Sequence, residues 1–86
     1  MNINELIAIV KKKLEKEIII QGLKIEDKSF LHKNHKGHQE GKFHIKLIIN
    51  SDELSKTSKI DSTKRIYNIL DLELKEYIHS IQILLN

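Results

Sequence analysis

The chain has 86 residues, and fifteen lysine and arginine residues against twelve aspartate and glutamate residues give it a formal net charge of +3. It contains five histidines but no cysteine, proline or tryptophan. Disulfides, thiolate metal sites and catalysis by a nucleophilic cysteine are therefore excluded. Any metal held by this chain must use histidine, aspartate, glutamate or ligands from a partner. The length predicts one domain, residues 1–86, near the lower size limit for independent folding.

The basic excess is mild and consists almost entirely of lysine. Arg65 is the only arginine. Lysine is poorly suited to bidentate recognition of guanine edges, so the chain has few side chains that could recognise a DNA sequence specifically. The longest apolar run near the start, residues 6–10, is far shorter than the ~20 residues of a membrane-spanning helix. We expect no membrane association and a cytoplasmic location, or an organellar one if a leader has been removed.

Residues 2–16 have the apolar spacing of an amphipathic helix. Asn2 can cap this helix, and Glu5 three residues later completes a start that is similar to a capping box. Residues 18–26 predict a strand, because an isoleucine run is followed by alternating apolar and charged residues. Gly22 inside this strand indicates a bulge or a close approach of another backbone.

Residues 43–50 predict a second strand with clean alternation of its two faces. One face carries Phe43, Ile45, Leu47 and Ile49, and the other carries His44, Lys46 and Ile48. Residues 51–60 are polar and predict a connection that is anchored in the core by Leu54 and Ile60.

A second helix is predicted over residues 62–75, with Asp61 or Ser62 as its cap. Its predicted buried stripe consists of Ile66, Tyr67, Leu70 and Leu74, with Ile69 beside it. A last strand is predicted over residues 77–85. Its predicted core face carries Ile81, Ile83 and Leu85.

The predicted element order is therefore helix, strand, strand, helix, strand. The first two strands can pair antiparallel, and the second helix is long enough for a right-handed crossover to a parallel third strand. The fold class is α+β: a small αββαβ domain with a three-stranded mixed sheet and both helices packed on one face.

Four of the five histidines lie within thirteen positions. His32, His35 and His38 recur at intervals of three in the long predicted connection over residues 27–42, and His44 enters the second strand. Imidazole is the commonest protein metal ligand, and so long a connection in so small a domain is often functional. Three interpretations remain open: a polar connection with incidental histidines, one histidine serving as a metal or cluster ligand, or a zinc site built from all three.

His79 lies apart from this group. It opens the third strand with the same parity as Ile81 and Ile83. A single histidine at a strand margin is usually structural, and nothing in the residues alone excludes that reading.

Four segments in order resemble the BolA-like protein family. Residues 27–32 read Asp-Lys-Ser-Phe-Leu-His, and residues 44–54 read His-Ile-Lys-Leu-Ile-Ile-Asn-Ser-Asp-Glu-Leu. Residues 67–70 read Tyr-Asn-Ile-Leu, and residues 78–81 read Ile-His-Ser-Ile. The resemblance spans almost the whole chain, with nearly ungapped spacing across its last three segments.

The resemblance implies the αββαβ fold of that family, which is related to the class II KH topology. A KH domain that binds RNA should carry a Gly-x-x-Gly clamp, and this sequence has none. Members of the family pair with monothiol glutaredoxins and share a [2Fe-2S] cluster with the glutaredoxin and its glutathione. The implied function is that of a non-enzymatic adaptor in iron–sulfur cluster assembly or trafficking.

The family's ligands can be placed on this sequence residue by residue. The resemblance implies His79 as the first cluster ligand and His32 as the second, with His35 and His38 as possible substitutes. His44 matches a histidine that is common in the family, and we interpret it as a supporting residue. Because cysteine is absent, the isolated chain is expected to bind no cluster, and the thiolates must come from the partner. The isolated chain is separately expected to be a monomer.

A DNA-binding transcriptional regulator is the alternative function implied by the same family. Its expected contacts with nucleic acid are Lys56, Lys59, Lys64 and Arg65. The family's basic segment at the start of the second helix is replaced here by Ser-Thr-Lys at residues 62–64, which weakens the DNA interpretation. An enzyme is not expected, because no nucleophile has an evident base and no glycine-rich phosphate loop is present.

Overall fold

The computed structural model of the chain describes residues 1–29 and 42–86. Within these residues the helices are α1 (Ile3–Glu17), α2 (Asp52–Ser55), α3 (Lys59–Ile69) and α4 (Asp71–Glu76). The strands of the same part of the chain are β1 (Gly22–Asp27), β2 (Phe43–Asn50) and β3 (Ile78–Leu85). None of the helices in this part is long and apolar enough to cross a membrane.

The first helix confirms its predicted cap. The Asn2 side-chain oxygen accepts a hydrogen bond of 2.8 Å from the Glu5 backbone N–H, and the Asn2 amide donates one of 2.8 Å to the Glu5 carboxylate. Two polar groups at the helix start are thereby satisfied by one another. The side chains that α1 buries are those of Leu6, Val10 and Leu14.

The first strand begins later than predicted. Residues 18–21 are not part of β1, because α1 continues to Glu17 and the Ile18 N–H donates a helical bond to the Leu14 carbonyl. Ile18 is buried as the C-terminal cap of the helix, whereas Ile19 is 70% exposed. Gly22 marks no bulge. It pairs regularly with Asn50, and a Cβ at this position would stand 3.6 Å from the Asn50 Cβ, an ordinary contact.

The sheet confirms the predicted topology. Its strand order is β1-β2-β3, with β1 antiparallel to β2 and β2 parallel to β3. Strand β2 occupies its predicted residues, and its predicted core residues pack with the helices. The buried core consists of Leu6, Val10, Leu14, Ile18, Ile45, Leu47, Ile49, Leu54, Ile66, Leu70 and Ile78. The opposite face of the sheet carries His44, Lys46 and Ile48, as the alternation predicts.

The connection after β2 contains a helix that the sequence pattern did not predict. Ser51 caps α2 by accepting a bond of 3.2 Å from the Leu54 N–H, and its own hydroxyl donates to the Ile19 carbonyl at 2.7 Å. Leu54 is buried, as predicted. Ile60 is 69% exposed, so the prediction that it anchors this connection is wrong.

The second predicted helix is two helices with an earlier start. Ser58 caps α3 by accepting from the Asp61 N–H at 3.1 Å, so the prediction of Asp61 or Ser62 as the cap is wrong. Ser62 is buried instead, and its hydroxyl donates to the Leu54 carbonyl at 3.2 Å. Leu70 leaves the helical region with φ −98° and ψ 18°, which separates α3 from α4.

The buried stripe of this region is confirmed in part. Ile66 and Leu70 are fully buried, and Leu74 and Ile69 pack partly against the core. Tyr67 is 43% exposed, which contradicts its predicted place in the stripe. In β3 the predicted core face of Ile81, Ile83 and Leu85 packs against the core cluster.

Candidate metal-ligand site at the start of the third strand

A bulge at the start of β3 places His79 outside the regular alternation of the strand. Phe43 pairs with Ile78 and His44 pairs with Ser80, so His79 has no residue of β2 opposite it. Such a bulge redirects side chains, and bulges are common beside functional sites. Ile78 is buried and His79 is exposed. In a regular strand His79 and Ile81, two residues apart, would lie on the same face. Because of the bulge, His79 does not lie on the core face with Ile81.

The ring of His79 contacts the ring of His44 instead. The two ring centroids are 4.9 Å apart, and the ring planes are inclined by 61°, an edge-to-face arrangement. His44 is only 5% exposed although it lies on the face of β2 opposite to the core. Its Nδ1 atom lies 2.6 Å from the hydroxyl oxygen of Ser80, its partner across the strand pair. An exposed imidazole thus rests against a buried imidazole that is hydrogen-bonded.

A turn at the end of β1 holds the backbone of His44. The Asp27 carboxylate accepts a bond of 2.9 Å from the Ser29 N–H, and the Ser29 hydroxyl accepts a bond of 3.1 Å from the His44 N–H. The His44 carbonyl accepts a further bond of 2.7 Å from the Lys28 N–H. The Asp-x-Ser segment of the sequence therefore has a structural role: it fixes the entry into β2 at the level of the candidate site.

The remaining predicted ligands belong to the segment between β1 and β2. His32, His35 and His38 lie outside the described residues. Across residues 1–29 and 42–86, no three histidine, aspartate or glutamate side chains come together as a complete metal site. The structure brings His79 and His44 together, with Ser29 and Ser80 as hydrogen-bonding neighbours of His44.

Ser80 and Ser29 are the residues of this site that the sequence reasoning missed. Both belong to segments that carry the family resemblance, Ser29 to the Asp-x-Ser stretch and Ser80 as the small residue after His79. Their partner, His44, is fifteen residues from one and thirty-six from the other. No local pattern indicates which hydrogen bond each hydroxyl makes at that separation.

The residues proposed for nucleic-acid contact lie around α2 and α3. Lys56, Lys59 and Lys64 are exposed. Arg65 is occupied within the chain: its guanidinium forms an ion pair with Glu53 and donates a bond of 2.6 Å to the Glu17 carbonyl. The single arginine therefore joins the end of α1 to α2.

The donor set of the chain fits a cluster only if a partner contributes most of the ligands. The described residues offer the exposed imidazole of His79, supported by His44, and the chain contains no thiolate. Iron–sulfur clusters are held mainly by thiolates, although histidine replaces cysteine on one iron in some [2Fe-2S] centres. His79 could hold one iron of a shared cluster, and the thiolates would have to come from outside the chain.

The architecture and the strand-opening histidine together define a small α+β domain of the BolA type. The chain is similar to the BolA domain of SufE1 from Arabidopsis thaliana, with a TM-score of 0.77, 33% identity, and 92% of this chain and 87% of that chain covered. It is also similar to BolA1 from Arabidopsis thaliana, with a TM-score of 0.76, 26% identity, and 92% and 87% coverage. BolA1 from Mus musculus, at 19% identity, shares the fold with a TM-score of 0.71 over 90% of this chain and 60% of that chain.

The chain belongs to the BolA-like protein family, whose model matches residues 14–86. It is 33% identical over 73 residues to the DNA-binding transcriptional regulator BolA of Haemophilus influenzae. This match covers 85% of this chain and 68% of that protein. It is also 33% identical over 79 residues to the SufE-like protein 1, chloroplastic/mitochondrial, of Arabidopsis thaliana. That match covers 86% of this chain but only 21% of the relative, so the chain corresponds to a small part of that protein.

Proposed function

We propose that this chain is a non-enzymatic adaptor in iron–sulfur cluster assembly or trafficking that shares a [2Fe-2S] cluster with a monothiol glutaredoxin and its glutathione. The observation that carries the proposal is the exposed ring of His79, which a bulge directs onto the buried, hydrogen-bonded ring of His44. Membership of the BolA-like family supports the choice of partner.

In this proposal His79 presents one imidazole nitrogen to an iron atom, and one of the histidines between residues 30 and 41 supplies the second ligand. His32 is the first candidate for that role, with His35 and His38 as substitutes. A cluster bound through imidazoles on one iron has a raised potential compared with a cluster bound by thiolates alone. The chain itself orients the ligand and provides the surface on which the partner docks.

The surroundings of His44 favour a partner with negatively charged groups. Lys28 and Lys46 line a cleft of about 340 Å³ together with His44, Ser80 and Gln82. Lys28 already forms an ion pair of 3.5 Å with Glu26, so Lys46 is the lysine of this cleft that would attract carboxylates and thiolates at short range. Glutathione and a thiolate-bearing glutaredoxin both carry such groups.

His79→Ala tests the proposal. Purified chain is mixed with a monothiol glutaredoxin, first in its apo form and then loaded with cluster, and the ultraviolet–visible spectrum of the mixture is followed in time. We expect the variant to abolish the wild-type spectrum of the mixed cluster and to shorten its lifetime. Leu84→Ala, an exposed change further along β3 that lies outside the cleft of Lys28 and Lys46, is the matched control and should leave both unchanged. Single alanine variants of His32, His35 and His38 identify the second ligand by the same measurement.

Two results would overturn the proposal. One is a wild-type chain that does not bind the glutaredoxin in either form, measured by chemical-shift changes in an NMR titration. The other is a His79→Ala variant whose mixed cluster has the wild-type spectrum and lifetime.

DNA binding is a second candidate function, and one observation favours it: the relative from Haemophilus influenzae is named a DNA-binding transcriptional regulator. In this chain the binding surface would consist of Lys56, Lys59 and Lys64. Arg65 contributes less than the sequence suggests, because Glu53 and the Glu17 carbonyl already hold its guanidinium. Binding would therefore depend mainly on lysine–phosphate contacts, which position a protein without reading bases.

Fluorescence anisotropy with duplex DNA over a range of salt concentrations tests this second function. Each lysine that contacts a phosphate should lower the salt slope of the binding constant by about one when it is replaced by alanine. Affinity that shows no preference for any duplex, or that survives the triple lysine replacement, would count against a regulatory role.

A further inference from the structure

We infer that Ser80, acting through His44, is a positioning residue for His79. The inference rests on the proposed function, because it concerns how the candidate ligand is oriented. The register of the sheet is its starting point. The bulge leaves Ser80, rather than His79, directly opposite His44, so that His79 and Ser80 both reach the same imidazole.

The hydrogen bond between Ser80 and His44 holds the plane of the buried ring. The Ser80 oxygen lies 2.6 Å from His44 Nδ1, and a hydroxyl can either donate to this nitrogen or accept from it. In both cases the bond selects one tautomer and opposes rotation about χ2 of His44. The backbone of His44 is fixed independently by Ser29, at 3.1 Å. The ring is therefore constrained both at its backbone and at its Nδ1 atom.

The constrained ring of His44 is the surface against which His79 packs. A free histidine at a strand margin samples several rotamers, with a broad distribution about χ2. The edge-to-face contact at 4.9 Å removes those rotamers of His79 that would overlap the ring of His44. A ligand that already has its binding orientation loses less conformational entropy when it coordinates a metal. Ser80 thus contributes to ligand orientation without touching the metal.

The first experiment examines the free chain and does not require a partner. Ring protons and nitrogens of both histidines are assigned by NMR in the wild type, in Ser80→Ala and in Ser80→Thr, at a pH where the imidazoles are neutral. Ser80→Ala should redistribute the His44 tautomers and weaken the nuclear Overhauser effects between the two rings. Ser80→Thr keeps the hydroxyl on an exposed strand position that suits a β-branched residue. This variant should have the wild-type tautomer distribution of His44 and the wild-type nuclear Overhauser effects between the two rings. Ser55→Ala, an exposed serine that bonds only locally to the Asp52 carbonyl, is the control.

The second experiment measures the lifetime of the cluster shared with the glutaredoxin. Loss of a residue that orients a ligand typically lowers metal affinity by about 10- to 100-fold. We expect Ser80→Ala to shorten the lifetime by about tenfold, and we expect Ser80→Thr and Ser55→Ala to retain the wild-type lifetime.

The outcomes separate this inference from the proposed function. A wild-type chain that forms no shared cluster overturns the proposed function and with it the role of Ser80. If the cluster forms, unchanged ring signals in Ser80→Ala overturn the inference alone. It is equally overturned if the ring signals change while the cluster lifetime stays that of the wild type, because Ser80 would then be a structural neighbour only.

Discussion

At the scale of single residues, Glu73 carries the most deeply buried carboxylate of the described chain. Its side chain is 3% exposed, and one carboxylate oxygen lies 2.7 Å from the ammonium nitrogen of Lys13. The other oxygen is buried with no hydrogen-bond partner among the described residues. A buried charge of this kind is tolerated because its cation is close. Lys13 therefore stabilises the fold mainly by preventing an uncompensated charge in the interior.

Lys13→Met should lower the free energy of unfolding by about 2–3 kcal/mol. Removing one partner of a buried ion pair costs roughly 3–5 kcal/mol, and the value here should be smaller because the Lys13 side chain is 38% exposed. Urea unfolding followed by circular dichroism measures the change. Lys12→Met alters the adjacent, exposed lysine and should change stability by no more than about 0.5 kcal/mol. Equal losses of stability in the two variants would show that the ion pair between Lys13 and Glu73 does not contribute to the free energy of unfolding.

At the scale of elements, the short helix α2 connects parts of the chain that are distant in sequence. Its Glu53 carboxylate accepts a hydrogen bond of 3.2 Å from the Ile19 N–H, in the segment between α1 and β1, and forms an ion pair with Arg65 of α3. Both interactions favour the ionised carboxylate. The Ile19 N–H and the Arg65 guanidinium therefore hold the pKa of Glu53 below its ordinary value of 4.5.

The lowered pKa of Glu53 predicts an acid-sensitive contribution to stability. Because the pKa of this carboxyl is lower in the folded chain than in the unfolded chain, the unfolded chain binds more protons between the two values. The contribution of Glu53 is fully present above about pH 4.5 and is lost as the pH falls through the lower, folded-state value. Glu53→Gln should therefore be less stable than the wild type at neutral pH, and the difference should shrink on acidification.

Urea midpoints measured across the acidic range check this expectation. Glu15→Gln, a change on the exposed surface of α1, is the control and should follow the wild-type pH dependence. A difference between wild type and Glu53→Gln that stays constant from neutral to strongly acidic pH would contradict the assigned contacts.

At the scale of the whole molecule, a hydrophobic core lies between the sheet and the helices of the described residues, and α3 contributes to it with only part of its surface. Ile66 is fully buried in this core. Ile60 and Tyr67, one helical face away, are 69% and 43% exposed and line a surface groove with Lys59, Thr63 and Lys64. Because one of these faces of α3 is buried in the core and the other is exposed, substitutions on them should change the free energy of unfolding very differently. A domain of this length has little stability to lose, so a loss on the buried face should be large relative to the total.

Ile66→Ala should lower the free energy of unfolding by about 2–4 kcal/mol, because it leaves a cavity in a core that cannot fully collapse around it. Ile60→Ala on the same helix should change it by no more than about 0.5 kcal/mol. Thermal and urea unfolding of both variants measure the contrast. Comparable losses would mean that Ile60 packs against the core, as the sequence pattern alone suggests.

The sequence by itself determined the order of the first helix and the three strands, the bounds of β2, the cap of α1 and the core face of β3. Each of these depends on a local signal. The alternation of β2 follows from the two-residue period of a strand, and the cap of α1 depends on Asn2 and Glu5, which are neighbours in the first turn. The parallel pairing of β2 with β3 also follows, because a right-handed crossover needs a helix of the predicted length.

The tertiary structure alone decided where β1 begins, that Ser62 is buried and which way His79 points. Ile18 belongs to the end of α1 because it is buried there, although its side chain favours a strand. Ser62 is an interior residue rather than a cap because Leu54 and Thr57 fold back onto its hydroxyl. His79 leaves the core face because the pairing of β2 with β3 shifts by one residue. Such a shift depends on contacts between segments more than thirty residues apart, which no local period records.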